Sequence, residues 1–540
     1  MPMEHRLDDA DMARFLRDGM LCLRPPELDA AFHARCFTAA AGLYDEAKRQ
    51  GGTTAHMQLL GDNLLAQVPP LHQLLAAPSV HGALASVLGD GYVLHPHQFV
   101  HAAGRMDQGF HQDGNLPWNT RGHFRSPRPI AAILFYYPQA VTDEMGPTEV
   151  LPGTQYWRGS FEEGEQWHGD DHLDRAFDQD AGRDADLARR DMRLDASLDV
   201  LAGQQVVRQR LCVPAGTVAL LHYDLVHRGT RQAPGFDGRR YMYKFYFLRT
   251  REPVRAAWNN VAPRPPGTPR GAPNEAIVER SWRWLRGEDG RESSGNVDPQ
   301  LPSLMQQLHN ADERTRRDAG YLLGDAGAHA AAALCTAAAD PEVMVRRMAA
   351  FALGETRHAD ASVVTALVTA LADADSFVRS NAAFSLGSLA RVQPLPPSAI
   401  DALLTRLDAQ VEPDNTRSAG MSRSTVRECV VQALLMAASN AGLDDTQRMA
   451  LAERGLADGS RYVRGLAVQA LLRSAEDGMP RWLALLLCHL DGVQYQSLPP
   501  QDDALSTDAI ANDANSNDTN SIERVRRRAA SPATLLGLRV

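Results

Sequence analysis

Cysteine is scarce in this chain, and what there is does not pair. Six residues (Cys22, Cys36, Cys212, Cys335, Cys429 and Cys488) are scattered over 540 positions without a Cys-x-x-Cys motif. That excludes a disulfide framework and a cysteine-based zinc site, so the thiols read as reduced and mostly buried. Long apolar runs are missing too. No stretch approaches the roughly 18 residues that span a bilayer, and Met1-Pro2-Met3-Glu4-His5-Arg6 has no apolar signal-peptide core. The cytoplasm is the expected location. Nor is there an excess of positive charge: a net charge of −10 gives no electrostatic reason to expect nucleic acid or an anionic membrane as partner. What remains, 44% hydrophobic and 23% charged, is an ordinary globular composition. The chain is too long for one hydrophobic core, which predicts two or more domains.

The first half is organised around Phe110-His111-Gln112-Asp113-Gly114. A histidine and an aspartate two residues apart are able to ligate one metal ion. A second histidine from a later strand would complete a set of two His and one carboxylate, which leaves coordination positions open as in non-haem Fe(II) oxygenases. The best third ligand is His227, which follows the strand Val218 to Leu221 and precedes a glycine. His222 is a rival at the strand's end, with the simpler reading of a hydrogen-bonded core histidine. About a dozen residues on, Gly238-Arg239-Arg240 opens the strand Tyr241 to Phe247, and an arginine there suits a bound dicarboxylate through its bidentate fork. Alternation does not decide between Arg240 and Arg239.

Around these residues, helical spacing predicts helices near Leu7–Gly19, Glu27–Arg49 and Ser79–Leu88. Strand-length apolar runs follow at Tyr92–Val100, Ile130–Tyr137, Val206–Val213, Val218–Leu221 and Tyr241–Leu248. The expected architecture is α+β with a jelly-roll core. His95, His97, His101 and His123 are expected to line a pocket or the surface and not to bind metal. An acidic stretch at about 161–204, with His168 and His172, reads as an insertion, either a lid or a solvated excursion. Trp118, Phe124, Arg121, Arg125 and Arg128 follow the His-x-Asp motif. They either hint at an anionic substrate or form a solvated basic loop, the blander reading.

This half, roughly residues 8 to 255, resembles the phytanoyl-CoA dioxygenase family of Fe(II)/2-oxoglutarate oxygenases. The resemblance is carried by Gln108-Gly109-Phe110-His111-Gln112-Asp113, by Gly146-Pro147-Thr148-Glu149-Val150-Leu151-Pro152-Gly153-Thr154-Gln155-Tyr156-Trp157, by His227 and by Arg240-Tyr241-Met242-Tyr243-Lys244-Phe245. It implies a double-stranded β-helix (jelly-roll) core, with His111, Asp113 and His227 holding Fe(II). It also implies 2-oxoglutarate bound by Arg240 or Arg239, with Gln108 and Thr148 as further cosubstrate-site candidates. O2 would be consumed, succinate and CO2 released, and a C–H bond of a small-molecule or carrier-bound substrate hydroxylated. The family often has a hydroxyl residue two positions after the distal histidine; here that position is Gly229, followed by Thr230.

Asn259 to Pro273 is dense in proline and glycine and reads as a semi-rigid linker; with a short helix it fills 259–300. The sequence then repeats itself. Thr315-Arg316-Arg317-Asp318-Ala319-Gly320-Tyr321-Leu322-Leu323-Gly324 returns at Val345–Gly354 and Val378–Gly387, with degenerate copies at Val426-Arg427 and Val463-Arg464. The anchor arginines Arg316, Arg346, Arg379, Arg427 and Arg464 are spaced by 30, 33, 48 and 37 residues. An acidic or amide residue stands six places before four of them (Asn310, Asp340, Asp373, Asp458). Two helical patterns per unit with many alanines predict an α-solenoid over 301–492, and it resembles HEAT repeats. The fourth unit carries an insertion at Gln410–Ser422. The Asp/Arg pairs read as ties between units, and the solenoid as a surface for a protein or carrier partner. The tail 493–540 is low-complexity and expected to be disordered.

The sequence therefore predicts domains at 1–258 and 301–492, and a 2-oxoglutarate/Fe(II)-dependent dioxygenase fused to HEAT repeats. A scaffold with an inactive oxygenase fold, whose repeats carry the function, is the alternative.

Overall fold

The structure, a computed structural model, describes residues 5–49, 58–60, 64–113 (without 106), 125–157, 171–172, parts of 186–196, 206–288 (without 269, 270 and 273), 300–473 (without 414, 415, 419 and 420), 483 and 486. Trp118, Arg121, His123, Phe124, His168, most of the acidic stretch and the tail lie outside the described residues.

Two compact units divide the chain, residues 1–292 and 293–540. The first is built on two antiparallel sheets. Eight strands form its core: β3 (Val93–Ala102), β4 (His111–Gln112), β5 (Ala131–Tyr137), β6 (Thr148–Val150), β8 (Gln209–Arg210), β9 (Thr217–His222), β10 (His227–Gly229) and β11 (Tyr241–Leu248). With β1 (Met20–Leu23), β2 (Gln58–Leu60) and β7 (Asp171–His172) added at edges, the sheet orders are β1-β9-β5-β11-β3-β2 and β7-β4-β10-β6-β8. Consecutive core strands go to alternate sheets except β6 and β8, which pair with each other in the smaller sheet. This is the double-stranded β-helix, or jelly roll.

Period-two alternation sorts the large sheet into two faces. On its outer face Val100, Ala132, Leu134, Tyr136, Val218, Leu220, Tyr241, Tyr243, Phe245 and Phe247 join one apolar core with α1 (Asp9–Asp18), α2 (Ala30–Arg49) and the helices Pro70–Ala76 and Pro78–Leu88. The opposite face looks into the sandwich, where His95, His97 and Phe99 are neighbours on β3 and meet Tyr246 of β11.

The compact unit runs past position 258 because the helix Glu275–Leu285 buries Val278, Trp282, Trp284 and Leu285 in the same core. Trp258 stacks edge-on against Trp282, with ring centres 5.0 Å apart. Asp9 fastens the segment between them. Its carboxylate is buried and accepts from Trp258 Nε1, Asn260 Nδ2 and the Val261 and Ala262 amides. The Pro/Gly-rich stretch thus begins as a strap on this unit.

In the second unit, helices Glu313–Asp325, Val343–Glu355, Ser376–Val392, Thr425–Asn440 and Arg461–Arg473 stack in series, each with a partner helix. Small residues permit the stacking: a Cβ on Gly354 would stand 2.7 Å from the Cα of Ser385. Three of the anchor arginines, Arg346, Arg379 and Arg427, do two jobs. Arg346 donates to the Asp340 and Pro341 carbonyls of its own turn and takes both oxygens of Asp373 in the next. Arg379 repeats this with the Asp373 and Ala374 carbonyls and Glu412, and Arg427 with Asp458. In the fourth unit the acid is Glu412, near the start of the insertion Gln410–Ser422; the expected spacing of six residues is stretched to 15. The insertion itself carries a small hairpin, Thr416–Ser418 with Met421–Arg423.

Among the described residues no helix is long and apolar enough to cross a membrane.

Candidate metal centre

Strand geometry brings three side chains together. His111 and Asp113, two residues apart, share a face. The antiparallel register of β10 with β4 sets His227 directly opposite His111. Among the described residues, His111, Asp113 and His227 are the one group of His, Cys, Asp or Glu side chains whose ligand atoms all lie within 4.8 Å of each other, and all three are buried.

The protonation pattern of the group follows from its hydrogen bonds. His111 Nδ1 lies 2.8 Å from the Gly109 carbonyl and His227 Nδ1 2.9 Å from the Leu225 carbonyl, each two residues back along the chain. A carbonyl only accepts, so both Nδ1 atoms carry a proton, and in the neutral ring that tautomer leaves the lone pair on Nε2. Those two Nε2 atoms are each 3.7 Å from Asp113 Oδ1, which accepts no hydrogen bond although it is buried. An orphaned carboxylate oxygen facing two imidazole lone pairs is costly unless a cation sits among them. The residues present fit a divalent metal.

The other oxygen, Oδ2, is fully engaged. The Lys244 ammonium stands 2.7 Å away and Tyr246 Oη donates at 2.8 Å. Lys244 is one of only two lysines in the chain. Its side chain is 6% exposed and it lies 5.3 to 5.7 Å from the ring centres of Phe99, Phe135 and Tyr246. Burial raises the Asp113 carboxyl, but Lys244 and then the two imidazoles outweigh it and hold the group well below the usual carboxylate range. Burial takes His227 the other way, down to about 4, with Asp113 opposing and His111 and Lys244 adding to the fall. Asp113 is therefore a carboxylate and His227 a neutral imidazole, the forms that bind metal.

A second layer fixes the strands. Gln112, pointing to the opposite face, donates to the Asp224 and Trp157 carbonyls. Arg125 donates to the Asp113 carbonyl at 3.0 Å and to the Asp224 carboxylate at 2.8 Å, both groups being buried. This overturns the picture of Arg125 in a solvated basic loop: its charge is spent on an internal carboxylate. On the far side of β10, Arg228 pairs with the buried Glu149 and lies over Phe110.

The remaining predicted residues fall around the triad. Arg240 is on the face shared with Lys244 and Tyr246 and is 4% exposed, and its buried Nε has no hydrogen-bond partner among the described residues. Burial lowers its basicity, with Tyr137 and Tyr44 opposing. Arg239 points the other way, half exposed, paired with Asp45 at 2.8 Å. Thr148 is buried and accepts from Tyr137 Oη at 2.8 Å. Gln108 docks on Gly229: its backbone amide donates to the Gly229 carbonyl and its Oε1 accepts the Gly229 amide, both at 2.9 Å. A Cβ at position 229 would stand 2.8 Å from that Oε1, so the side chain of Gln108 occupies the room a hydroxyl residue would need. His222 is not in the cluster; its Nδ1 accepts the Asp224 amide and its ring lies near Phe15 and Tyr156. Sequence reasoning missed Lys244 and Tyr246. The signal was there: a lysine in the middle of an apolar strand, in phase with Arg240.

Residues 301–387 and 331–424 match the family model of HEAT repeats. No curated protein matches the sequence. Among solved structures, this chain is similar to the epimerase SnoN in complex with Fe3+, alpha ketoglutarate and nogalamycin RO, at 18% identity over 44% of this chain and 82% of that one, with a TM-score of 0.30. It is also similar to EctD from S. alaskensis with 2-oxoglutarate and 5-hydroxyectoine (17% identity, 52% and 89% of the two chains, TM-score 0.32). A third is HygX from Streptomyces hygroscopicus with nickel and 2-oxoglutarate bound (14% identity, 45% and 87%, TM-score 0.31). What the site can do follows from its own atoms.

Proposed function

We propose that the chain is a cytoplasmic Fe(II)- and 2-oxoglutarate-dependent dioxygenase of the phytanoyl-CoA dioxygenase type. It would hydroxylate a C–H bond of a small-molecule or carrier-bound substrate, with the HEAT repeats as the surface for a partner or carrier. The observation that carries this reading is a pairing inside one sandwich: three buried ligand atoms that converge within 4.8 Å of each other, and on the same interior the buried guanidinium of Arg240, whose Nε has no hydrogen-bond partner among the described residues.

His111, Asp113 and His227 would hold the metal through Nε2, Oδ1 and Nε2. Iron, when bound, supplies the activation of O2 that is coupled to decarboxylation of 2-oxoglutarate to succinate and CO2. Arg240 would take the distal carboxylate of 2-oxoglutarate, a bidentate charge-assisted contact in a site of low dielectric. The Gly109 and Leu225 carbonyls hold both imidazoles in the ligating tautomer, and Arg125 holds the backbone of Asp113. The interior face of His95, His97, Phe99 and Tyr246 would exclude water and shape the substrate's approach.

Purified protein given Fe(II), ascorbate and 2-oxoglutarate is expected to bind the cosubstrate and to form succinate slowly without substrate. His111→Ala should abolish succinate formation. Absence of both binding and turnover in the unaltered protein would sink the proposal.

A further inference from the structure

We infer that Lys244 makes metal loading depend on the dianionic cosubstrate, by cancelling the one negative charge that the ligand set offers. The inference rests on the function just proposed. Two neutral imidazoles and one carboxylate would ordinarily meet a dication with a net charge of −1. Here the Lys244 ammonium is 2.7 Å from the same carboxylate, so the set is neutral before any metal arrives. The ammonium has nowhere to retreat. Its side chain is 6% exposed, and the rings of Phe99, Phe135 and Tyr246 surround it at cation–π distance. Asp113 is its only ion-pair partner among the described residues.

Lys244 acts on a bound metal in two opposed ways. As a hydrogen-bond donor to Oδ2 it orients the carboxylate, and outer contacts of that kind are typically worth about 10- to 100-fold in metal affinity. As a cation one carboxylate away from a dication it repels the metal, and it does so in a buried site where screening is weak. Tyr246 decides between them. Its hydroxyl donates to the same Oδ2 at 2.8 Å, so the orientation survives without Lys244 while the repulsion does not. Repulsion is therefore the effect that belongs to Lys244 alone. A dianion with one end toward the metal and the other at Arg240 would reverse the excess positive charge. Metal and cosubstrate should then raise each other's affinity by the same factor, since coupling is reciprocal. Lys244 is thus a positioning and gating residue acting through Asp113, not a catalytic one.

The test is a calorimetric titration of the full chain with Mn(II), which is redox-silent, with and without saturating 2-oxoglutarate. The unaltered protein is expected to bind Mn(II) weakly alone and about 10- to 100-fold more tightly with the cosubstrate. In Lys244→Met, binding of Mn(II) alone should tighten by roughly tenfold, and the coupling factor should fall towards one. Tyr246→Phe should weaken Mn(II) in both conditions and leave the coupling factor intact. Lys244→Gln, which keeps a neutral donor, guards against a folding defect in Lys244→Met and should behave in the same way. Weaker Mn(II) binding in both lysine variants, or an unaltered coupling factor, overturns the inference and leaves the proposed function standing. If the unaltered protein binds no Mn(II) even with 2-oxoglutarate, the proposed function falls and takes the inference with it.

Discussion

Arg379 and Glu412 lie 33 residues apart and meet as a two-pronged pair, Nε to Oε2 at 2.7 Å and Nη2 to Oε1 at 2.6 Å. Glu412 is 1% exposed and also receives Arg406 at 3.7 Å. Removing one member of such a pair leaves the other charged and poorly solvated. Glu412→Ala should therefore cost about 2–4 kcal/mol. Because neighbouring repeats stabilise one another mainly through their shared interface, the loss should show as a second transition in urea unfolding followed by circular dichroism. A single transition at unchanged urea midpoint would contradict it.

The strap between Trp258 and the helix Glu275–Leu285 makes a prediction about folding units. A fragment of residues 1–292 should be soluble and melt cooperatively. A fragment of 1–258 exposes the surface that Trp282 and Trp284 cover and should aggregate. In the full chain Trp282→Ala should cost about 3–5 kcal/mol, read by chemical denaturation of the fluorescence of the first unit.

Asp9 gives this strap a pH dependence. Burial raises its carboxyl, but the Val261 amide, Asn260, Trp258 and the Ala262 amide outweigh that and leave it below its ordinary value of 3.8. A carboxyl lowered in the folded state contributes stability that is full above the unfolded value and lost as the pH falls through the folded one. Asp9→Asn should cost about 1–3 kcal/mol near pH 7. The gap between variant and unaltered protein should close as the pH falls below about 4. Urea midpoints at pH 7, 5 and 3.5 would check the trend; a constant gap would refute it.

The two adjacent arginines separate cleanly by environment. Arg240→Met should weaken 2-oxoglutarate binding to the Mn(II)-loaded protein by roughly 10- to 100-fold, the worth of charged hydrogen bonds in a buried site. Arg239→Met, at a half-exposed surface pair, should change it less than about threefold. The reverse order would transfer the proposed clamp to Arg239.

What could be read from the sequence was what lies close along the chain or repeats. His-x-Asp is a two-residue spacing, and period two puts both side chains on one face. The arginine anchors recur with their helices, so the solenoid announced itself. Long-range partners did not. Tyr246 and Lys244 reach Asp113 across more than 130 residues, and Asp9 meets Trp258 across 249. The Pro/Gly-rich stretch looked like a spacer because composition reports local stiffness and says nothing of a buried carboxylate elsewhere waiting for four donors. Glu412 escaped notice because the insertion moved it off the six-residue offset. Arg125 was misjudged because a basic residue in a loop carries no local sign of the Asp224 it pairs with.

One consequence of the facing histidines concerns assembly of the smaller sheet. Its strands are two or three residues long, too short for hydrogen bonds alone to choose an alignment. A slip of one residue between β10 and β4 would turn His227 to the opposite face and replace it with Arg228 or Val226. A metal that needs His111 and His227 together would bind only the correct alignment and favour it by mass action. The ion would then serve as a proofreader of strand pairing before it takes part in any reaction.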